Sequence, residues 1–186
     1  KKAKEKIKEF PESFELYNLL GITFAEIKNI KQSIEYYKKA LIANPKNFIS
    51  DFYLGSLYHD NGDLLNAIKH YKKSTKLNPK YSNAWFNLGV AYYENNNPLE
   101  AVNAYKKVII IEPNHANALY NLGYIYHELL NYDQSLIYYK LAIRINPGFY
   151  YSFSNLAEVF MDKGDYKNSL KYYELFLEKN PNDVKI

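Results

Sequence analysis

Six prolines, Pro11, Pro45, Pro79, Pro113, Pro147 and Pro181, follow one another at intervals of 34 residues, and only Pro98 lies off the series. A fixed period of roughly 20–50 residues marks a chain built from stacked structural units, and few folds satisfy that constraint. With the proline placed at position 32, five full units begin at Phe14, Phe48, Ser82, Ala116 and Tyr150, spanning 14–47, 48–81, 82–115, 116–149 and 150–183. Residues 1–13 run up to the in-register Pro11 and are expected to be the second helix of a preceding, truncated unit, with 184–186 a short tail.

The columns of this alignment carry the physics. Position 7 is Leu20, Leu54, Leu88, Leu122 and Leu156, and position 8 is Gly21, Gly55, Gly89, Gly123 and Ala157. Position 11 is aromatic throughout (Phe24, Tyr58, Tyr92, Tyr126, Phe160), position 20 is small (Ser33, Ala67, Ala101, Ser135, Ser169), and position 24 is Tyr37, Tyr71, Tyr105, Tyr139 and Tyr173. Apolar residues recur with helical spacing over positions 1–14 and 18–31, interrupted by turn sequences such as Asn61-Gly62-Asp63 and Lys163-Gly164-Asp165. Each unit is therefore expected to be a helical hairpin. Small residues at 8 and 20 allow close backbone approach, aromatics at 11 and 24 fill the space beside them, and the proline stops the second helix. The predicted fold is an all-α solenoid of stacked helix-turn-helix hairpins.

The run Trp85-x-x-Leu88-Gly89-x-x-Tyr92, followed by Ala101, Tyr105 and Pro113, resembles the tetratricopeptide repeat signature, and the match extends over about nine-tenths of the chain. The resemblance implies a right-handed superhelix whose first helices line a concave groove, a role in protein interaction, and no catalysis. One departure stands out. Position 27, which in the family abuts the next hairpin, is Ala40, Ser74, Val108 and Ala142 but then Phe176, so the last helix is expected to leave Tyr172, Phe176 and Leu177 uncovered and to self-associate or meet a cap there.

Composition narrows the chemistry. The sequence is 47% hydrophobic and 24% charged, no apolar run exceeds four residues, and a membrane-spanning helix would need about 18 or more. No cysteine is present, which excludes disulfides, thiolate metal sites and a cysteine nucleophile. The start, Lys1 to Phe10, is charged rather than apolar, so no signal peptide is read there and a cytoplasmic location is the expectation. A net charge of +4 with Arg144 the only arginine makes nucleic acid an unexpected partner, since lysine lacks the planar fork that reads bases. His59, His70, His115 and His127 read as isolated surface imidazoles, and neither a nucleophile elbow, a phosphate loop nor a His-Glu-x-x-His motif accompanies them. No enzyme, metal or cofactor is expected.

What the resemblance does locate is the inner face, positions 2, 5, 6, 9, 12 and 13. Chain-wide frequency would place about four Lys or Arg residues among those thirty sites; there is none, and seven acids stand there instead. Five form a column at position 13, Glu26, Asp60, Glu94, Glu128 and Asp162, joined by Glu15 and Glu158. Carboxylates in the last turn of a helix face the negative end of its dipole, so the column calls for either lysine partners on adjacent turns or a cationic ligand. Beside it lie Phe52, Phe86, Tyr93, Tyr120, Tyr124 and an amide series, Asn87, Asn121 and Asn155. The amides could hold the backbone of an extended peptide, and in that they resemble the ladder of O-linked N-acetylglucosamine transferase repeats.

The expected function is a protein-interaction module binding an extended basic peptide in an acidic, aromatic groove. Alternatives are a substrate-targeting segment of a larger enzyme such as a glycosyltransferase of that kind, or a self-assembling scaffold. The family's clamp for carboxylate-terminated chaperone tails uses Lys and Arg at inner positions; with Asn18, Phe52, Phe86, Tyr120 and Ser154 at position 5, no affinity for peptides ending Glu-Glu-Val-Asp is expected. On the second helix, Lys38, Lys72, Lys106 and Lys140 at position 25, with Lys39, Lys73 and Lys107 beside them, read as a solvated ridge.

Overall fold

A computed structural model describes residues 13–180; the expected truncated helix and the tail fall on 1–12 and 181–186, outside the described residues. Among those described, the chain forms helices α1 (Phe14–Glu26), α2 (Ile30–Ala43), α3 (Phe48–Asp60), α4 (Leu64–Leu77), α5 (Ser82–Glu94), α6 (Pro98–Ile111), α7 (Ala116–Glu128), α8 (Tyr132–Ile145), α9 (Tyr151–Asp162) and α10 (Tyr166–Lys179). The chain divides between Ala101 and Val102, inside α6, into two compact units. In the first, the hairpins α1/α2 and α3/α4 stack through α2 on α3, and α5 packs on α4; in the second, the hairpins α7/α8 and α9/α10 stack through α8 on α9.

Local chemistry explains where each helix stops and starts. Position 15 takes a left-handed backbone in all five repeats, at Lys28, Gly62, Asn96, Leu130 and Gly164. This reverses the chain so that the position-15 and position-16 N–H groups return to carbonyls of the first helix, as Gly62 N–H does to His59 O and Asp63 N–H to Tyr58 O. Glycine adopts that conformation freely, whereas Leu130 (φ 56°) holds it against a steric cost of about 1–2 kcal/mol. Position 16 then caps the second helix: the side chains of Asn29, Asp63, Asn131 and Asp165 accept from the backbone N–H of Gln32, Asn66, Gln134 and Asn168.

Glycine at position 8 is required by the tyrosine at position 24. A Cβ on Gly21, Gly55 or Gly123 would lie 2.8, 2.6 or 2.7 Å from the ring of Tyr37, Tyr71 or Tyr139. These rings are sealed (1%, 1% and 0% exposed). Two of the position-20 serines donate their hydroxyl to the same glycine's carbonyl, Ser33 to Gly21 O and Ser135 to Gly123 O, both at 2.7 Å. The position-11 ring stacks on position 23 in four repeats: Phe24 on Tyr36, Tyr58 on His70, Tyr126 on Tyr138 and Phe160 on Tyr172, with centroids 5.4–5.6 Å apart. Tyr37 with Leu54 and Leu57 centres the core of the first unit; Tyr139 with Leu156, Val159 and Phe160 centres that of the second.

Those buried phenols make the fold sensitive to alkali. Burial raises the pKa of Tyr37, Tyr71 and Tyr139 above the ordinary 10.0; at Tyr71 the hydrogen bonds with Ser56 and Asn87 oppose the effect, at Tyr139 the bond with Asn155 does. The folded state keeps these protons after the unfolded chain has lost them, so stability is intact below the unfolded pKa and declines above about pH 10, by about 1.4 kcal/mol per pH unit for each group. Urea midpoints should therefore be flat towards about pH 9 and fall steeply beyond about pH 10, with phenolate absorbance from these tyrosines rising only as the helix signal is lost. A midpoint unchanged near pH 11 would contradict this.

The C-terminal end departs from expectation. Phe176 is 5% exposed. Its ring turns back on its own repeat, with centroids 6.3 and 6.4 Å from Tyr150 and Tyr151, while Tyr172 stacks on Phe160. A large residue at position 27 thus covers the hairpin to which it belongs instead of waiting for the next one, and self-association loses Phe176 as its anchor. Leu177 is exposed as expected; Tyr166 and Leu170 are exposed too.

Candidate functional site

The first helix of each repeat carries the candidate residues at its solvent-facing turn. In the first unit Glu26, Asp60 and Glu94 are exposed, and Phe52, Phe86, Asn87 and Tyr93 are half-buried; in the second, Tyr124, Glu128, Glu158 and Asp162 are exposed, and Tyr120, Asn121 and Asn155 are half-buried. The aromatic members divide by role. Phe52 is held edge-on by Tyr53 and Tyr81, and Tyr120 lies against Tyr139 and Phe149, so both are chiefly packing; Tyr124 is 38% exposed.

Two histidines are not the isolated imidazoles expected from sequence. His127 Nε2 lies 2.7 Å from Asp162 Oδ2 in a hydrogen bond, and His59 Nε2 lies 2.8 Å from Glu94 Oε2, a close contact off the hydrogen-bond direction. Both join position 12 of one repeat to position 13 of the next, so Glu94 and Asp162 meet histidine and not the lysines considered for the column. Asp60 keeps a 73% exposed carboxylate, with His59 Nδ1 4.0 Å away.

The amide series is also committed differently. Asn155 Nδ2 donates to Tyr120 Oη (2.9 Å) and Tyr139 Oη (3.2 Å), and Asn87 Nδ2 donates to Tyr71 Oη (3.5 Å). Amide hydrogens that could have held a ligand's carbonyls instead tie position 6 to the position-24 tyrosine of the repeat before. What Asn87 and Asn155 chiefly keep for the outside is the amide oxygen, beside the exposed carboxylates of position 13. Their potential reaches the core, because after burial itself Asp60 and Glu94 push up the pKa of Tyr71, and Glu158 that of Tyr139.

A third cluster escaped sequence reading. Asp51, in the first turn of α3, is fully buried; its Oδ1 lies 2.9 Å from His70 Nδ1 and its Oδ2 3.0 Å from Lys73 Nζ, both on α4. Lys73 thus has a buried partner while remaining exposed, as are Lys38, Lys72, Lys107 and Lys140, whereas Lys39 and Lys106 are half-buried. Among the described residues no three His, Asp or Glu side chains converge as a metal site requires, and no helix is long and apolar enough to cross a membrane.

Tetratricopeptide repeat models match residues 14–47, 82–115, 116–149 and 152–185, and a TPR repeat model matches 55–96. The chain belongs to the tetratricopeptide repeat family. Among solved structures, this TPR chain is similar to the MamA protein at 28% identity, with a TM-score of 0.87 over 94% of this chain and 96% of that one. A MamA fragment from Desulfovibrio magneticus RS-1 is similar in fold (17% identity, TM-score 0.83, 92% and 97% covered). So is YrrB, described as a TPR protein with an unusual peptide-binding site (15% identity, TM-score 0.89, 99% and 95% covered). Comparison with curated proteins returns no match.

Proposed function

We propose that this TPR protein is a protein-interaction module whose first-helix face binds an extended segment rich in Lys or Arg. The observation that carries the reading is the one-sided chemistry of that face: seven acids and no Lys or Arg. The inward commitment of Asn87 and Asn155 amide hydrogens supports it, because the amide oxygens and the nearby carboxylates are left to meet a ligand's donors. Within each unit the exposed carboxylates repeat on the first helices, so their potentials add there and attract counter-charge. The fold likeness to a peptide-binding TPR protein is consistent with it.

The test is selection from an unbiased peptide library followed by calorimetry over a range of salt. Selected peptides should carry net positive charge, bind more weakly as salt rises, and include none ending Glu-Glu-Val-Asp. Changing Glu94 and Glu128 together to Gln should weaken binding about five-fold, which is about 1 kcal/mol for two partly screened contacts, and flatten the salt dependence. Peptides of net negative charge, or an affinity indifferent to the double substitution, would return the acid column to an ordinary solvated surface.

A further inference from the structure

Position 9 sets the depth of the first-helix face, and its residues are Ile22, Ser56, Val90, Tyr124 and Glu158. The serine is the smallest. Above it α3, α4 and α5 enclose a cavity of about 190 Å³, partly closed, lined by Ser56, His59, Asp60, Tyr71, Asn87 and Val90. Sites for drug-sized ligands run to roughly 300–1,000 Å³, so this volume suits one side chain.

Hydrogen bonding decides which. Tyr71 Oη donates to Ser56 Oγ (3.2 Å) and accepts from Asn87 Nδ2, while the Ser56 hydroxyl donates to Phe52 O (3.3 Å). Both hydroxyl hydrogens and one amide hydrogen are thus used within the protein. The acceptors left are the Asp60 carboxylate, Asn87 Oδ1 and the second lone pair of Ser56 Oγ, with the Glu94 carboxylate against His59; they outnumber the donors left, which are the second Asn87 amide hydrogen and the His59 imidazole N–H. A primary ammonium carries three donors and no acceptor, and takes its partners from separate directions; a guanidinium fork prefers one coplanar pair of oxygens. Val90 supplies apolar wall for an aliphatic stem.

We infer that this cavity is the specificity-determining subsite of the face and receives the ammonium end of a lysine side chain. The inference rests on the basic-segment reading and adds a preferred register: a ligand lysine sits over α3 and α5, and its other cations lie along the acid column.

The experiment uses two Gly/Ser nonapeptides, one with a single central lysine and one with three spaced lysines, titrated into isotope-labelled protein and followed by NMR. The single-lysine peptide should shift the Ser56 and Val90 backbone signals and the Asn87 side-chain amide. Arginine in its place should bind at least three-fold more weakly, and acetyl-lysine or norleucine at least ten-fold. Ser56→Tyr, installing the position-9 residue of Tyr124, should abolish those shifts while the three-lysine peptide still binds. Ser56→Ile, which copies Ile22, serves if the tyrosine variant melts early. Acetyl-lysine binding as well as lysine, or shifts that persist in a folded Ser56 variant, overturns the subsite. Binding of the three-lysine peptide with shifts confined to other acids overturns the subsite alone; no shift with either peptide overturns both it and the basic-segment reading.

Discussion

Replacing Tyr139 by alanine should cost about 4 kcal/mol of stability, and the same change at Tyr173 less than half as much, although the two occupy the same column of the repeat. Tyr139 is 0% exposed, lies against Gly123 where a Cβ would stand 2.7 Å from its ring, and its hydroxyl accepts from Asn155. Truncation removes a fully buried ring, typically worth about 3–5 kcal/mol, and leaves the Asn155 amide short of a partner. At Tyr173 the facing residue is Ala157, itself 0% exposed, whose methyl group occupies the place a ring takes against glycine. Tyr173 is accordingly only partly buried. Equal urea-derived losses for the two variants would show that the glycine column does not govern how deeply the tyrosines sink.

That contrast shows what a repeat makes readable and what it hides. The hairpins, the glycine–tyrosine contact and the acid column are properties of columns, and five copies of each column average out local irregularity. Phe176, Asp51 and the histidines are single departures from a column, and a departure does not say how its neighbours respond. Phe176 was read as exposed because its column faces the next hairpin; Tyr150 and Tyr151 offered a nearer surface. The histidine pairs had a usable signal. Positions 12 and 13 of successive repeats are 35 residues apart, one more than the period, so His59 with Glu94 and His127 with Asp162 could have been proposed together by stacking the alignment in space as well as in register. The cavity at Ser56 depended on one small residue among Ile22, Val90, Tyr124 and Glu158, a difference of size within a column whose members share no chemistry.

Asp51 is the departure with the sharpest energetic consequence. Position 4 is Tyr17, Trp85, Leu119 and Phe153 in the other repeats, and an acid there is buried where its neighbours are aromatic or aliphatic. It is tolerated because it sits in the first turn of α3, where the helix dipole favours negative charge, and because His70 and Lys73 close on its two oxygens. His70→Tyr restores the residue found at Tyr138 and keeps the stack on Tyr58, yet it should cost about 3 kcal/mol, since it leaves a buried carboxylate with only the half-exposed Lys73. For a chain of this size that lowers Tm by about 6–12 °C. The triple change Asp51→Leu, His70→Tyr and Lys73→Leu copies the whole apolar set of the fourth repeat, Leu119, Tyr138 and Leu141, and removes the buried charge together with the need for partners. Its stability should equal or exceed that of the parent, because well-packed hydrophobic replacements of buried ion pairs are commonly neutral or stabilising by about 1–4 kcal/mol. Urea denaturation of the parent, the single and the triple variant decides it. A single variant as stable as the parent, or a triple variant no better than the single, would mean that the Asp51 cluster is not an ionic insertion into an otherwise apolar layer.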